Sequence, residues 1–285
     1  MKSPLKPPFN PTVKVPSALA RPAFPVRLKP DAGVPSATKL IADYAGPVMA
    51  KSQNGIKQIT QTIAPDGVGL DSQAVRARMV HKLAAQGLSD AQVLAAMGLV
   101  ERHRFVDTAL VNQAYEDTSL PIGLGQTISK PNVVARMLEL LRGGALDASG
   151  KLGRVLEIGT GCGYQAAVLS HLTTEVYSIE RLRGLHDKAR ENLRTLRLPN
   201  VHLLFGDGMM GYAKGAPYAA IIAAAGGQAI PTAWIEQLAM GGRLVAPMQT
   251  ASGAQALVVV DKTPQGVRQT LLEAVHFVPL KSGTS

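Results

Sequence analysis

The stretch RVLEIGTGCGYQAAVL, from Arg154 to Leu169, decides the fold of this 285-residue chain. An apolar run leads into a turn that contains three glycines, Gly159, Gly161 and Gly163, and a helical pattern begins at about Tyr164. Glycine permits a tight turn without Cβ clashes, and the free N–H groups at a helix N-terminus can bind a ligand. Since the spacing is GxGxG and not the dinucleotide-binding GxGxxG, the turn alone is a weak sign of a nucleotide site.

Two acidic residues at the ends of later predicted strands strengthen this interpretation. Glu180 ends TEVYSIE, 21 positions after Gly159, and Asp207 ends the strand in VHLLFGDG. A carboxylate at the first position can accept hydrogen bonds from both ribose hydroxyls, and one at the second can accept from an adenine amino group. Taken singly, the two acids are equally well explained as a solvated strand end and a turn or cap residue. Together with the glycines they favour a bound adenosine.

The composition is that of a globular protein without a membrane span. Hydrophobic residues make up 46% of the chain, and no apolar run approaches the ~20 residues needed to cross a bilayer. Prolines interrupt any secretory signal at the N-terminus, so we expect a cytoplasmic location. The single cysteine, Cys162, cannot form an internal disulfide and is interpreted as a small residue that fills the glycine turn.

The formal charge of +10 is concentrated in the N-terminal segment. Residues 1–70 hold nine Lys/Arg, three Asp/Glu and 11 of the 19 prolines, without a sustained helical or strand period. We therefore expect residues 1–70 to be a basic, mostly disordered extension and residues 71–285 to form the folded domain. A solvated tail is favoured over an arm that binds nucleic acid or another anionic partner.

Helical patterns precede the glycine turn. DSQAVRARMVHKLAAQG predicts a helix with Asp71 as its N-cap, and SDAQVLAAMG predicts a second helix capped by Ser89 or Asp90. A loop-rich segment from Arg104 to Ser129 follows. SKPNVVARMLELLRGG then predicts an amphipathic helix with Ser129 as its N-cap.

Beyond Gly153 strands and helices alternate, which predicts a parallel sheet. The predicted strands are RVLEIG, EVYSIE, VHLLFGD, AAIIAAA and RLVAPM, with helices from Tyr164, from Leu182 to Leu196 and through Trp234 and Leu238. ALVVVDK and VHFVPL follow without room for a helix between them, so the sheet should finish with an antiparallel pair. The predicted fold is α/β: a seven-stranded, mostly parallel sheet with an antiparallel last strand and added N-terminal helices, as in class I methyltransferases.

Several blocks in a fixed order resemble the protein-L-isoaspartate O-methyltransferase family. They are RHRFVD at 102–107, QAYEDTSLPIGLGQTISKP at 113–131, VLEIGTGCGYQAAVL, GDG at 206–208, GGRLVAPM at 241–248 and VHFVPL at 275–280. The DTSLPIGLGQTIS block is distinctive. The resemblance spans roughly residues 71–280 and omits the N-terminal extension.

The resemblance implies a protein-L-isoaspartate(D-aspartate) O-methyltransferase. Such enzymes transfer a methyl group from S-adenosyl-L-methionine to the free α-carboxylate of L-isoaspartyl residues in damaged proteins and peptides. The ester then closes to a succinimide, whose hydrolysis returns some normal aspartate. The implied partners are isoaspartyl-containing proteins and peptides. From the sequence as a whole we expect no specific nucleic-acid partner, no membrane and a monomeric enzyme.

The resemblance also implies roles for individual residues. Ser129 matches the active-site serine, which we interpret as a donor that positions the substrate carboxylate. The implied cofactor-binding residues are Gln126, Thr127 and Ile128 in the covering loop, Glu157 before the glycine turn, Gly159, Gly161 and Gly163 near the methionine part, Glu180 at the ribose, and Asp207 with Gly208 at the adenine. For Glu116 and Asp117 we expect a structural loop or capping role, and the six histidines show no zinc-type spacing, so no metal is expected.

Two departures from the family pattern and three alternatives stay open. Ala219 stands where the family commonly has an acid opening its fourth strand, so a polar contact below the cofactor is lost. Gly226 and Gly227 replace a proline-containing loop, which predicts a more mobile pocket rim. The alternatives are a methyltransferase of a small molecule or RNA, a non-catalytic binding protein that uses the basic tail, and, least favoured, a nicotinamide dehydrogenase.

Overall fold

The computed structural model describes residues 73–144 and 146–285, so the predicted extension 1–70 and the predicted N-cap Asp71 lie outside the described residues. Helices α1 (Gln73–Ala85), α2 (Ala91–Leu99) and α3 (Pro131–Arg142) precede the main sheet. Met79 and Leu83 on α1 are buried, and the predicted apolar face of α3 is buried as well. These helices add an apolar layer to the core.

Helix α2 is capped by Asp90, which settles the choice between Ser89 and Asp90. Its Oδ1 accepts from the backbone N of Gln92 at 2.9 Å and of Val93 at 3.1 Å. Its Oδ2 accepts from Nε of Arg142 at 2.8 Å. The cap therefore also ties α2 to the end of α3.

The prediction that Ser129 caps α3 is wrong. Pro131 occupies the first helical position, which places Lys130 at the cap, and the Lys130 side chain makes no capping hydrogen bond. The free N–H of Asn132 instead donates to Oδ1 of Asp117 at 2.9 Å. The capping role expected for Asp117 is thus present, and Ser129 is released from it.

The segment between α2 and α3, predicted as loop-rich, contains two 3-10 helices, Arg102–Phe105 and Thr108–Gln113, and a short antiparallel hairpin. The hairpin strands are β1 (Leu120–Gly123) and β2 (Gln126–Ile128). Strands of four and three residues carry too little alternation to be recognised from sequence. We call residues 102–131 the covering segment.

The main sheet has seven strands. They are β3 (Leu152–Ile158), β4 (Thr173–Glu180), β5 (Val201–Phe205), β6 (Tyr218–Ala223), β7 (Leu238–Gln249), β8 (Gln255–Thr263) and β9 (Gly266–Val275). Their order is β5-β4-β3-β6-β7-β8-β9. The first five are parallel, and β8 pairs antiparallel with β7 and with β9. The predicted fold class is confirmed. The chain leaves β3 toward β4 and crosses back to β6, so β3 marks the point where the strand order reverses.

Helices α4 (Tyr164–Leu172), α5 (Arg183–Arg194) and α6 (Thr232–Gln237) connect the parallel strands. The sixth helix ends before Leu238, which begins β7. The strand predicted over VHFVPL is also misplaced: β9 ends at Val275. Most β9 side chains are exposed, so its polar composition conceals the strand. In the described residues, no helix has the length and apolar character needed to span a membrane.

Candidate active site

A cavity of about 440 Å³ opens at the carboxyl ends of β3 and β4. Ligands of open α/β sheets bind at this edge, where the strand order reverses. The lining residues that the sequence predicted are Gln126, Thr127, Gly159, Gly161, Glu180 and Gly208. Ile158, Ile179 and Leu185 add apolar walls. The cavity therefore joins the glycine turn to the covering segment.

The three glycines of the turn adopt positive φ angles of 90°, 57° and 91°, which favour glycine over any other residue. A Cβ at Gly161 would lie 3.2 Å from Cδ1 of Ile122, so this position admits the covering segment close to the turn. Gly163 has a packing role beside the predicted one, which stays a prediction. It is the N-cap of α4, does not line the cavity, and a Cβ there would lie 3.0 Å from Cδ1 of Leu193. Its role is close packing of α5.

Glu180 lies at the cavity and is 5% exposed. Its Oε2 accepts from the backbone N of Gly161 at 2.9 Å, and its Oε1 accepts from the backbone N of Leu182 at 2.9 Å. Each carboxylate oxygen offers two acceptor positions, so both oxygens can accept a further bond from a ligand. The same side chain fixes the glycine turn and presents acceptors to the cavity.

Asp207 is not among the residues that line the cavity, whereas the neighbouring Gly208 is. Its Oδ1 accepts from the backbone N of Met209 at 2.9 Å, and its Oδ2 accepts from the backbone N of Gly283 at 2.7 Å. The carboxylate thus caps a short 3-10 helix and holds the C-terminal segment against this end of the sheet. The contact of Asp207 with adenine stays a prediction.

Glu157 is likewise not at the cavity: its side chain is fully buried beneath the glycine turn. It accepts a hydrogen bond from the Ser178 hydroxyl, which lies 2.6 Å from the hydroxyl of Thr160 in the turn. Burial raises the pKa of Glu157 to about 8, so its carboxyl group is mostly protonated at neutral pH. Glu157 supports the turn from below.

The covering segment borders three spaces that share lining residues. Thr127 lines the main cavity, a small cavity of about 40 Å³ and a groove of about 500 Å³. Ser129 lines the small cavity and the groove. Ile128 lines the small cavity with Gly159 and Gly161. The predicted active-site serine therefore lies where a groove meets the glycine turn.

Sequence reasoning missed the residues that complete the cavity wall. Ile122 and Leu124 come from the unrecognised hairpin, and Leu182 follows Glu180 directly, a position that could have drawn notice. Residues 278–281 also line the cavity. They were hidden because VHFVPL was interpreted as a strand of the sheet.

The two departures from the family pattern lie at different places in the fold. Ala219 lies near the amino end of β6 and does not line the cavity. At the rim, Gly226 donates to the carbonyl of Val278 and accepts from the N of Leu280, and Gly227 accepts from the N of Gln249. The rim thus makes backbone hydrogen bonds to two segments, and its greater mobility stays a prediction.

No group of three or more His, Cys, Asp or Glu side chains that could hold a metal ion occurs in residues 73–144 and 146–285. The residues at the cavity offer the carboxylate oxygens of Glu180, backbone groups, the hydroxyl and amide of the covering segment, and two basic residues, Arg181 and Lys281. The carboxylate, hydroxyl, amide and backbone groups suit an uncharged sugar and a flat heterocycle between apolar walls.

Comparison with known proteins shows which proteins this chain is similar to. The profile of a family described as protein-L-isoaspartate(D-aspartate) O-methyltransferase matches residues 74–285. A protein-L-isoaspartate O-methyltransferase of Methylibium petroleiphilum is 58% identical over 275 residues, covering 94% of this chain and 99% of that protein. One from Leptothrix cholodnii is 59% identical over 248 residues, covering 84% and 86%.

Two solved structures share the fold. One, described as a protein-L-isoaspartate O-methyltransferase, has a TM-score of 0.65 at 28% identity and covers 73% of this chain and 66% of that chain. The other, described as a beta-aspartate methyltransferase from Plasmodium falciparum in complex with S-adenosyl-L-homocysteine, has a TM-score of 0.61 at 22% identity and covers 72% and 98%. The likeness extends over most of the described chain.

Proposed function

Because this chain belongs to the protein-L-isoaspartate O-methyltransferase family, we propose how its residues divide that family's reaction between them. The reaction transfers a methyl group from S-adenosyl-L-methionine to the free α-carboxylate of an L-isoaspartyl residue in a damaged protein. The ester then closes to a succinimide, which starts repair. The glycine turn and Glu180 hold the cofactor, and the covering segment holds the acceptor.

The main cavity fits S-adenosyl-L-methionine in size and in chemistry. Its volume of about 440 Å³ lies in the usual range for a small-molecule site. Glu180 accepts hydrogen bonds from the ribose hydroxyls, while Gly159 and Gly161 leave room for the methionine part. Ile179 and Leu185 give the adenine apolar contacts. When bound, the cofactor supplies a methyl group on a positively charged sulfur.

Ser129 positions the acceptor. Ser129 lines both the groove of about 500 Å³ and the small cavity beside Gly159 and Gly161. From there the hydroxyl donates a hydrogen bond to one oxygen of the isoaspartyl carboxylate and leaves the other free to react. Since Ser129 does not cap α3, its hydroxyl is available for this role.

The chemistry needs orientation more than proton transfer. A carboxylate with a reference pKa near 4 is ionised at neutral pH, so its oxygen attacks the methyl group without a general base. Holding the two reactants in line is worth on the order of 7–11 kcal/mol in well-oriented systems. The covering segment and the C-terminal residues exclude water from the reacting oxygen.

The position of Ser129 between groove and small cavity is the observation that carries this proposal. Isoaspartyl-containing proteins and peptides are the proposed partners. A monomeric enzyme in the cytoplasm that uses neither nucleic acid nor a membrane is the sequence-based prediction that we keep for the molecule as a whole.

The test uses the purified chain, radiolabelled S-adenosyl-L-methionine and two peptides that differ only in Asp against isoAsp. We expect base-labile label on the isoAsp peptide alone, with a lower rate for Ser129→Ala. Ser119→Ala is the matched control, because Ser119 also lines the groove but not the small cavity. An equal loss in both variants would contradict the role of Ser129. Absence of label on both peptides, despite cofactor binding, would contradict the proposed acceptor.

A further inference from the structure

Arg102 is a buried cation to which the proposed reaction assigns no role. It opens the RHRFVD block, and its side chain is 0% exposed. Its Nε donates to the carbonyl of Ala114 at 2.8 Å, and its Nη2 donates to the carbonyl of Ser129 at 2.8 Å. The guanidinium therefore joins the start of the covering segment to the active-site serine.

The charge of Arg102 has no carboxylate partner. In the described part of the chain, no Asp or Glu lies within ion-pair distance of it, and its buried Nη1 has no hydrogen bond of good geometry. The guanidinium carbon lies 4.8 Å from the ring centroid of Tyr164, and burial lowers the pKa of Arg102 from its usual value. Asp117 acts on this charge only through space, without forming an ion pair with it. A buried charge without an ion pair is costly, and an anion that binds nearby relieves that cost.

The location of this charge is specific. Ser129 and Tyr164, the two residues against which the guanidinium lies, both line the small cavity beside Gly159 and Gly161. Arg102 itself does not line that cavity. Its positive charge thus stands directly behind the cavity wall at which the acceptor carboxylate is expected.

We propose that Arg102 is a positioning residue that fixes the backbone of Ser129 and supplies the positive potential selecting an anionic acceptor. It acts through Ser129 and Tyr164 without touching the substrate. This inference rests on the proposed function, because it takes Ser129 as the residue that meets the isoaspartyl carboxylate. It makes the acceptor site selective for a carboxylate over a neutral group of the same shape.

A second buried arginine provides a matched control. Arg142 is 7% exposed, but its Nε pairs with Oδ2 of Asp90 at 2.8 Å, and its Nη1 donates to the carbonyl of Gly150. It lies at the end of α3, and it lines none of the three spaces of the site. Loss of Arg142 should lower stability without changing selectivity for an anion.

The experiment measures binding of two peptides to the chain saturated with S-adenosyl-L-homocysteine. One peptide carries isoAsp, and in the other a carboxamide replaces its free α-carboxylate. For the wild-type chain we expect the carboxylate peptide to bind about tenfold tighter. Arg102→Met should reduce this ratio to within about threefold of unity, whereas Arg102→Lys and Arg142→Met should keep it within about threefold of the wild-type value.

The outcomes separate this inference from the proposed function. A wild-type ratio near one, or an unchanged ratio in Arg102→Met, would overturn the role of Arg102 while methylation of the isoAsp peptide continues. If Arg102→Met does not fold, Arg102→Lys decides, because a folded Lys variant without discrimination contradicts a role of the charge. Failure of the wild-type chain to methylate the isoAsp peptide would overturn the proposed function itself.

Discussion

The glycine turn and the covering segment face the same cavity, but they are held in place by different kinds of contact. The turn is fixed by neighbours in the sheet: Glu180 binds the backbone of Gly161, only 19 positions away in the chain. The covering segment depends on distant partners, since Lys188 donates from Nζ to the carbonyl of Ile122 across 66 positions. A rigid turn and a cover assembled through tertiary contacts are suited to different tasks, retention of a common cofactor and recognition of a variable acceptor.

The contrast extends to the ionisable groups beneath each region. Under the turn lies Glu157, which is neutral at pH 7 because burial raises its pKa to about 8. Behind the covering segment lies Arg102, a buried cation that forms no ion pair in the described residues. The ionisable group beneath the glycine turn is thus neutral, and the one behind the covering segment is positively charged. This difference is expected if only the covering segment must attract an anion.

The largest expected effect concerns Glu157 and pH. A carboxyl group whose pKa is raised in the folded state stabilises that state fully below about pH 4.5, and this contribution is lost as the pH rises to about 8. Glu157→Gln stays neutral throughout. We compare the free energy of unfolding of the variant with that of the wild-type chain by urea unfolding at pH 5 and pH 9. Between these pH values the difference should shift in favour of the variant by on the order of 4 kcal/mol.

An exposed carboxylate on α5 offers the control for this experiment. Glu191→Gln should show almost no change relative to the wild-type chain between the two pH values. If the free energies of unfolding of Glu157→Gln and the wild-type chain changed equally with pH, Glu157 would be charged in the folded protein. That result would contradict a neutral carboxyl group beneath the glycine turn.

The next largest effect is expected at Glu180. In Glu180→Gln the amide nitrogen must face the backbone N of Gly161 or of Leu182, so one of two hydrogen bonds is broken and the acceptor charge is removed. We expect the Kd for S-adenosyl-L-methionine to rise about 100-fold, measured by equilibrium dialysis. Glu175→Gln, on the same strand but paired with Arg154, should leave the Kd within about twofold. Equal effects of the two variants would place the ribose elsewhere.

A smaller effect is expected at Ser129. Ser129→Ala removes one hydrogen bond to a charged acceptor, so kcat/KM for an isoaspartyl peptide should fall roughly tenfold to thirtyfold. Because Ser129 is not the cap of α3, the Tm of the Ser129→Ala variant should match that of the wild-type chain. A Tm loss that accompanies an unchanged rate would show that the residue is structural.

The smallest effect is expected at Asp117, which supplies the acceptor for the first turn of α3. Asp117→Ala should cost about 1 kcal/mol, a fall in Tm of roughly 2–4 °C in a domain of this size. Glu116→Ala is the neighbouring control, since Glu116 forms only an exposed ion pair with Lys82 at 3.8 Å. Thermal unfolding that ranks Glu116→Ala below Asp117→Ala in stability would contradict the capping contact.

The sequence predicted the glycine turn and the parallel sheet because their causes are local. Gly159 and Gly161 need positive φ, and Glu180 ends the next strand at a fixed distance along the chain. The contacts that the sequence did not reveal have tertiary causes. Gly163 is needed for packing against Leu193, and Glu157 points below the turn, neither of which the spacing of residues reveals.

The covering segment was recognised only through its family resemblance. Its strands are too short to show a period, and Pro131 moved the start of α3 away from Ser129. The C-terminal residues that line the cavity were misread as a strand because the exposed side chains of β9 conceal the true one. The residue types indicated which kinds of molecule the site binds. They did not reveal the contacts between segments that are distant in the chain.

The most direct test of the division between turn and cover is a double-variant cycle of Glu180→Gln and Ser129→Ala. The Kd for the cofactor and kcat for an isoaspartyl peptide at saturating cofactor are measured in each variant. We predict that Glu180→Gln changes the Kd alone, that Ser129→Ala changes kcat alone, and that the double variant combines both losses additively. A loss of cofactor affinity in Ser129→Ala as large as in Glu180→Gln, or a slow kcat in Glu180→Gln at saturation, would contradict the account.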